Sequence, residues 1–388
     1  MNGQITNNRN RQNYHCIDLA KFICAVMVVM IHFPRLNSSS QPVQYLLFVF
    51  QEYYTRIAVP FFFVCSGYFL YRKTSLDAFD VGPTKKYVVR LLRLYVIWTV
   101  IYFPSYLRDF AVKDKGFLYG AAVFIRSFLF TSPYVHLWYL PATAFSVALI
   151  SFLLRKKWPP ERIMLAAAMF YALGLLDRSW YGVLKCLPAL DFCMQVIKKV
   201  IISTRDGLFT GFFFVGIGML FAFRDYRLSR RRALVGFCVC MLALTVEATL
   251  LYRFSSLRDA DVFVSLAPVA FFGFALVRQI ELKDAPVYRT LRTLSTIMYL
   301  SHMLVGTDIA AGLLRMVDEA LIGTWVFPVS IILLCILGGC VMIRLSEWKK
   351  LVYIGQHRTM GQKIRQSPQR LLCGAAIAFT EHHAYPAP

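Results

Sequence analysis

Two ionisable residues on one face of a membrane-length helix define the first chemistry in this chain. The segment IDLAKFICAVMVVMIHF, residues 17–33, carries Asp18, Lys21 and His32 in an otherwise apolar run. Ionisable groups inside such a run are costly and mark a functional site by default. Lys21 and His32 are 11 residues apart. Eleven residues make three helical turns plus about 20°, so both side chains lie on one face, about 16 Å apart along the axis. One face therefore presents a cation at one end and, at the other, an imidazole whose titration range suits proton transfer from a hydroxyl. In the plainer reading, Asp18 pairs with Lys21 at i, i+3 and His32 merely ends the helix.

Four further segments carry candidates. RIAVPFFFVCSGYFLYRK, 56–73, has Pro60, expected to interrupt the helix ladder, and Ser66–Gly67, expected to admit a neighbouring backbone. PYVHLWYLPATAF, 133–145, places His136, Trp138 and Tyr139 where a helix enters the membrane; an aromatic belt accounts for the two larger rings, and His136 falls on the side of His32. STRDGLFTGFFFVGIGML, 203–220, sets Arg205 and Asp206 before a Gly-rich helix start, a place suited to an anion. STIMYLSHMLV, 295–305, interrupts an apolar run with Tyr299, Ser301 and His302; a buried histidine bonded to a neighbouring helix is the structural alternative.

These segments need a scaffold, and the composition names it. Of 388 residues, 58% are hydrophobic and 16% charged. A soluble domain carries about 45–50% and 25% respectively. That balance excludes a secreted enzyme, a disordered tail and a cytosolic nucleic-acid binder. It points to an all-α, polytopic membrane bundle.

Ten apolar runs are long enough to be spans: 17–34, 55–71, 88–107, 136–154, 162–177, 206–223, 233–252, 261–279, 290–306 and 324–345. Stretches 42–54, 117–130 and 181–203 are apolar but broken, and are read as interfacial or re-entrant. The domain reading is a cytosolic N-terminal tail over 1–16, a membrane domain over 17–345 and a basic cytosolic tail over 346–388. Within that tail LLCGAAIAFT is too short to span. The ten cysteines include no C-x-x-C pair, and no metal is expected.

The formal charge of +22 also has a topology. With both termini inside, the inner segments hold 28 Lys and Arg and the outer ones 14, with Lys21 left inside the first helix. Every long basic cluster falls on the inner side, as the positive-inside rule requires for ten spans.

In order, a basic residue followed after ten residues by His, then FFFVCSGYFL, HLWYLP, RDGLFTGFFFVGIGM and IMYLSH, this chain resembles acyltransferase family 3, the integral-membrane O-acyltransferases. The resemblance covers residues 14 to about 345. It implies a multi-pass protein of the bacterial cell membrane, transferring an acyl group, usually acetyl. The donor would be cytosolic acyl-CoA and the acceptor a hydroxyl of a cell-envelope glycan or similar small molecule. Carried onto this sequence, His32 matches the family's essential histidine and Lys21 its basic partner, usually Arg. Catalysis is thus expected at His32 and Lys21. Arg90 and Arg93 are expected to help Lys21 hold the CoA phosphates. His136, Trp138, Arg205, Tyr299 and His302 are expected around the acceptor. The partners are the bilayer, acyl-CoA and the acceptor, with nucleic acid excluded and self-association allowed. Within the family, IDLAKFICAVMVVMIH and HLWYLPA are most similar to membrane domains that accompany a serine racemase. That similarity supplies the rival reading, a module for uptake or binding of a serine-like amino acid.

Overall fold

A computed structural model describes residues 14–33, 40–111, 116–224, 226, 228–254 and 257–359. Arg35, most of the N-terminal tail and the apolar piece of the C-terminal tail lie outside the described residues. Among the described residues the regular structure is helical throughout, with no strand.

In chain order the helices are α1 (His15–His32), α2 (Gln41–Glu52), α3 (Ala58–Tyr71), α4 (Gly82–Ala111), α5 (Phe117–Phe130), α6 (Tyr139–Arg155), α7 (Pro160–Asp177), α8 (Tyr181–Leu184), α9 (Pro188–Ile201), α10 (Phe212–Phe223), α11 (Arg230–Phe254), α12 (Leu266–Arg278), α13 (Val287–Leu304), α14 (Ala311–Val317) and α15 (Val326–Thr359). Each of the ten apolar runs holds a helix. Five helical segments are long and apolar enough to cross a membrane: His15–His32, Gly82–Phe110, Arg230–Phe254, Val287–Val317 and Val326–Glu347. The three broken stretches are helical as well, as α2, α5 and α8–α9.

Two π turns divide the fold at chemically important places. Gly207–Gly211 leads into α10, and Val305–Ala310 joins α13 to α14. Such turns add a residue to the helical repeat and frequently stand at functional sites.

Packing brings distant segments together. α3 lies along α10 over the most extensive interface in the molecule, and α1 packs on α13. α11 pairs with α12, and α4 with α6. One large apolar core runs through these helices, while a second, containing Ala25, Val29, Met298 and Ile331, joins α1 to α13 and α15. Leu118, Leu129, Val239, Leu242, Leu337 and Val341 are exposed on α5, α11 and α15. A bilayer is the solvent such apolar faces require.

The contact between α3 and α10 rests on two glycines. A Cβ on Gly67 would fall inside contact distance of the Val215 carbonyl, and one on Gly218 would strike the Val64 carbonyl. The neighbour at each position is backbone, so no side chain can swing away. Gly67→Ala is therefore expected to cost about 1–3 kcal/mol, the usual cost of overpacking, read as loss of monodisperse protein and a lower melting temperature in detergent. An unchanged melting curve would contradict this close approach.

Pro60 corrects its expectation. It sits in the first turn of α3, which starts at Ala58, and leaves the helix unbroken. The first-turn amide has no intrahelical acceptor in any helix, so its loss there removes no ladder bond.

Candidate active site

The site is built where α1 ends. His32 is the last residue of α1, and the chain turns into extended backbone at Phe33. His302 lies in α13, which packs along α1, and His136 is in the segment leading into α6. The three rings converge. Ring centres of His32 and His302 are 5.3 Å apart, those of His136 and His302 5.1 Å, and those of His32 and His136 6.5 Å. His136 and His302 are buried.

Nδ1 of His302 lies 3.1 Å from the Met298 carbonyl and 2.9 Å from that of Tyr299. Carbonyls only accept, so Nδ1 carries the proton and Nε2 keeps its lone pair. Its partners are thus on its own helix, not on a neighbour. Nε2 of His302 and Nε2 of His136 are both buried without a hydrogen-bond partner. Two such atoms in one cluster are unusual, since buried polar atoms are generally paired.

Tyr102 of α4 positions His302. Its hydroxyl donates to the Leu300 carbonyl at 2.8 Å and accepts from the Leu304 amide at 3.1 Å. Those two groups pair with each other in a regular α-helix. The inserted hydroxyl stands immediately before the π turn at Val305. Tyr299 adds a second tie, donating to the His136 carbonyl.

Beside the histidines is a cleft of about 50 Å³, lined by His32, Arg56, His136, Trp138, Arg205, Thr210, Asp261 and Tyr299 among others. Five of the expected residues, His32, His136, Trp138, Arg205 and Tyr299, thus share one cavity wall, with His302 against His32. Arg205 lies over the Trp138 ring at 5.2 Å. Trp138 and Tyr139 are half-buried, and the Tyr139 hydroxyl is 2.9 Å from the Ser66 hydroxyl. They face protein, so an aromatic belt does not describe them.

Charge at the cleft is organised by residues the sequence reading did not single out. Arg178 grips Asp261 through two bonds of 2.5 Å, and Arg205 reaches the same carboxylate at 3.4 Å. Asp177 accepts from Lys198 and Thr204, each at 3.0 Å, and from Arg258. Arg56 is paired with Glu52 at 3.0 Å. The only hint in sequence was the presence of acids in otherwise apolar surroundings; their partners are distant in the chain.

Asp206 is not part of an anion site. Its carboxylate accepts from the amides of Leu208 and Phe209, both at 2.9 Å, and so caps the turn it precedes. The amides that an anion would use are already taken.

At the other end of α1, Lys21 Nζ lies 4.8 Å from the centre of the Phe69 ring. Asp18 reaches Arg292 of α13 at 3.8 Å, and among the described residues no ion pair joins it to Lys21, whose charge acts on it from beyond that range. Arg90 lies over the Tyr87 ring at 5.3 Å, and Arg93 is exposed. Neither contacts Lys21. No group of three or more His, Cys, Asp or Glu among the described residues has the geometry to hold a metal ion.

A family model described as an acyltransferase domain matches residues 14–345. The chain belongs to this acyltransferase family. Family membership covers every residue of the histidine cluster and its cleft. The chain is also 29% identical to an amino-acid racemase of Enterococcus faecalis over 302 residues, which cover 74% of this chain and 40% of that protein. With a serine/alanine racemase of Enterococcus gallinarum it shares 27% identity over 275 residues, 67% of this chain and 36% of the relative. The acyltransferase domain here thus spans about two fifths of the length of these curated relatives. No solved structure matches it.

Proposed function

We propose that this member of the acyltransferase family transfers an acyl group, acetyl in the first instance, from cytosolic acyl-CoA to a hydroxyl of a cell-envelope glycan or similar acceptor. The observation that carries the reading is the convergence of the His32, His136 and His302 rings beside one cleft that His32 and His136 line, in a chain of this family, with Lys21 on the same helical face as His32. In this reading the bundle crosses the cell membrane ten times with both termini cytosolic. Lys21 then faces the donor's side and His32 the acceptor's.

His32 takes the proton from the acceptor hydroxyl as its oxygen attacks the acyl carbonyl. The bound thioester contributes the C–S bond that breaks as the new C–O bond forms, and the departing thiolate takes the proton back from His32, so that CoA leaves as the thiol. Against His32, the His302 ring offers the lone pair of Nε2, and His136 a second unpaired nitrogen, through which the proton can be held. Arg205 and Asp261 hold the acceptor's polar groups at the cleft mouth. A donor anchored by its phosphates at Lys21 has to present its thioester about 16 Å away along α1.

The cleft also supports a second reading. A cation and a carboxylate, Arg205 and Asp261, stand together on one wall, matching a small zwitterion. Uptake or binding of a serine-like amino acid is the activity this would serve, and the named racemase relatives make it specific. The two separate in one preparation. Proteoliposomes are expected to release free CoA from acetyl-CoA in the presence of envelope glycan and to show no gain in labelled serine over empty vesicles. Serine accumulation without CoA release would reverse that assignment.

A further inference from the structure

The cytosolic end of α1 carries a second cation that no motif marked. Arg72 caps α3, and its guanidinium carbon lies 4.4 Å from the centre of the Tyr14 ring, 5.5 Å from that of Phe69 and 5.9 Å from that of Tyr68. Lys21 approaches the same Phe69 ring at 4.8 Å. The Tyr14 and Tyr68 hydroxyls are 3.2 Å apart beside them.

Arg72 Nη1 is buried without a hydrogen-bond partner. Among the described residues no carboxylate forms an ion pair with Arg72, and Asp18, which interacts with the charges of both Lys21 and Arg292, stands beyond ion-pair distance of Lys21. An aromatic face is worth about 0.5–2 kcal/mol to a cation. That is less than the cost of burying an unpaired charged donor. Two cations thus share one ring, and among the described residues the buried Arg72 donor lacks an anionic partner.

We infer that Lys21 and Arg72 together form a binding site for a phosphate or diphosphate group on the cytosolic side. Lys21 brings a compact point charge, and Arg72 the planar fork that meets two phosphate oxygens at once. The aromatic walls set the Arg72 plane before the ligand arrives. This deepens the proposed function, on which it rests for the ligand's source: the nucleotide part of the donor CoA. An anionic lipid headgroup carries the same chemistry. Arg72 shares the Phe69 ring with Lys21 and so joins it as a companion cation.

The test is binding of inorganic pyrophosphate and of CoA to the full chain in nanodiscs, of phosphatidylcholine alone or with phosphatidylglycerol. Wild type is expected to bind both probes in the neutral discs. Arg72→Gln should weaken both about ten-fold or more, the range for a lost hydrogen bond to a charged group. Arg72→Lys, which keeps the charge without the fork, should fall between them. Melting curves show which variants are folded, and if Arg72→Gln is not, Arg72→Lys is read alone, with no weakening overturning the site. Competition by phosphatidylglycerol supports the site with lipid as a ligand. Pyrophosphate binding that depends on Arg72 while CoA does not bind keeps the site and removes the donor reading. CoA binding indifferent to Arg72 overturns the site and leaves the donor reading in place. Absence of pyrophosphate binding in wild type overturns it outright.

Discussion

His32→Ala is expected to lower acyl transfer about 10²–10⁴-fold, the contribution of a positioned general base. The geometry makes the loss specific. His32 is the one histidine of the three on α1, and it lines the cleft, while His302 lies against it at 5.3 Å. Neither neighbour can take over without moving, since His302 is held by its Nδ1 bonds to the Met298 and Tyr299 carbonyls and Tyr299 ties down the His136 backbone. The fall should appear in kcat with the donor KM little changed, because the donor's phosphates are assigned to the far end of α1. His15, at that far end, pairs with Asp284 at 2.7 Å, and His15→Gln is expected to leave turnover within a few-fold of wild type. The check is free CoA released from acetyl-CoA in proteoliposomes with envelope acceptor. Turnover by His32→Ala at the wild-type rate would end the proposal for its role.

Asp261→Asn is expected to be the most destabilising substitution at the site. The side chains of Arg178 and Asp261 are 8% and 9% exposed, so their contact is a buried pair and not a surface one. Removing the charge leaves Arg178, among the described residues, in an ion pair only with the half-exposed Asp259, 3.0 Å away, and takes from Arg205 its ion pair. Breaking such a pair costs about 3–5 kcal/mol. Asp261→Asn is expected to melt in detergent well below the wild type. Equal melting temperatures for the two proteins would show that Asp261 is not held by Arg178 and Arg205.

The two predictions draw on different parts of the sequence. His32 was legible because its partner Lys21 is only 11 residues away, and a helical repeat relates near neighbours without reference to the fold. The apolar runs were legible for the same reason: each of the ten holds a helix, because apolar patterning is written locally, and five of the helical segments have the length and hydropathy a bilayer demands. The family was legible because five short motifs keep their order. Asp261 was not, because its partners Arg178 and Arg205 stand about 80 and 56 residues away, and no local period connects them. Pro60 and Asp206 were read by residue type, and their true roles follow from where each helix begins. A proline two residues earlier or later, or an aspartate one turn inside, would have meant something else.

By itself, then, the sequence determined a helical membrane protein of the acyltransferase family, with a cation and an imidazole on one face of its first helix. The tertiary structure alone decided which residues meet them. Packing of α1 on α13 brought His302 beside His32, and the entry to α6 added His136 from a third element. The fold of α3 against α1 put Arg72 across Phe69 from Lys21. The physical reason is the range of the forces: propensity, hydropathy and capping act within a few turns, whereas burial of apolar faces selects neighbours irrespective of their distance along the chain.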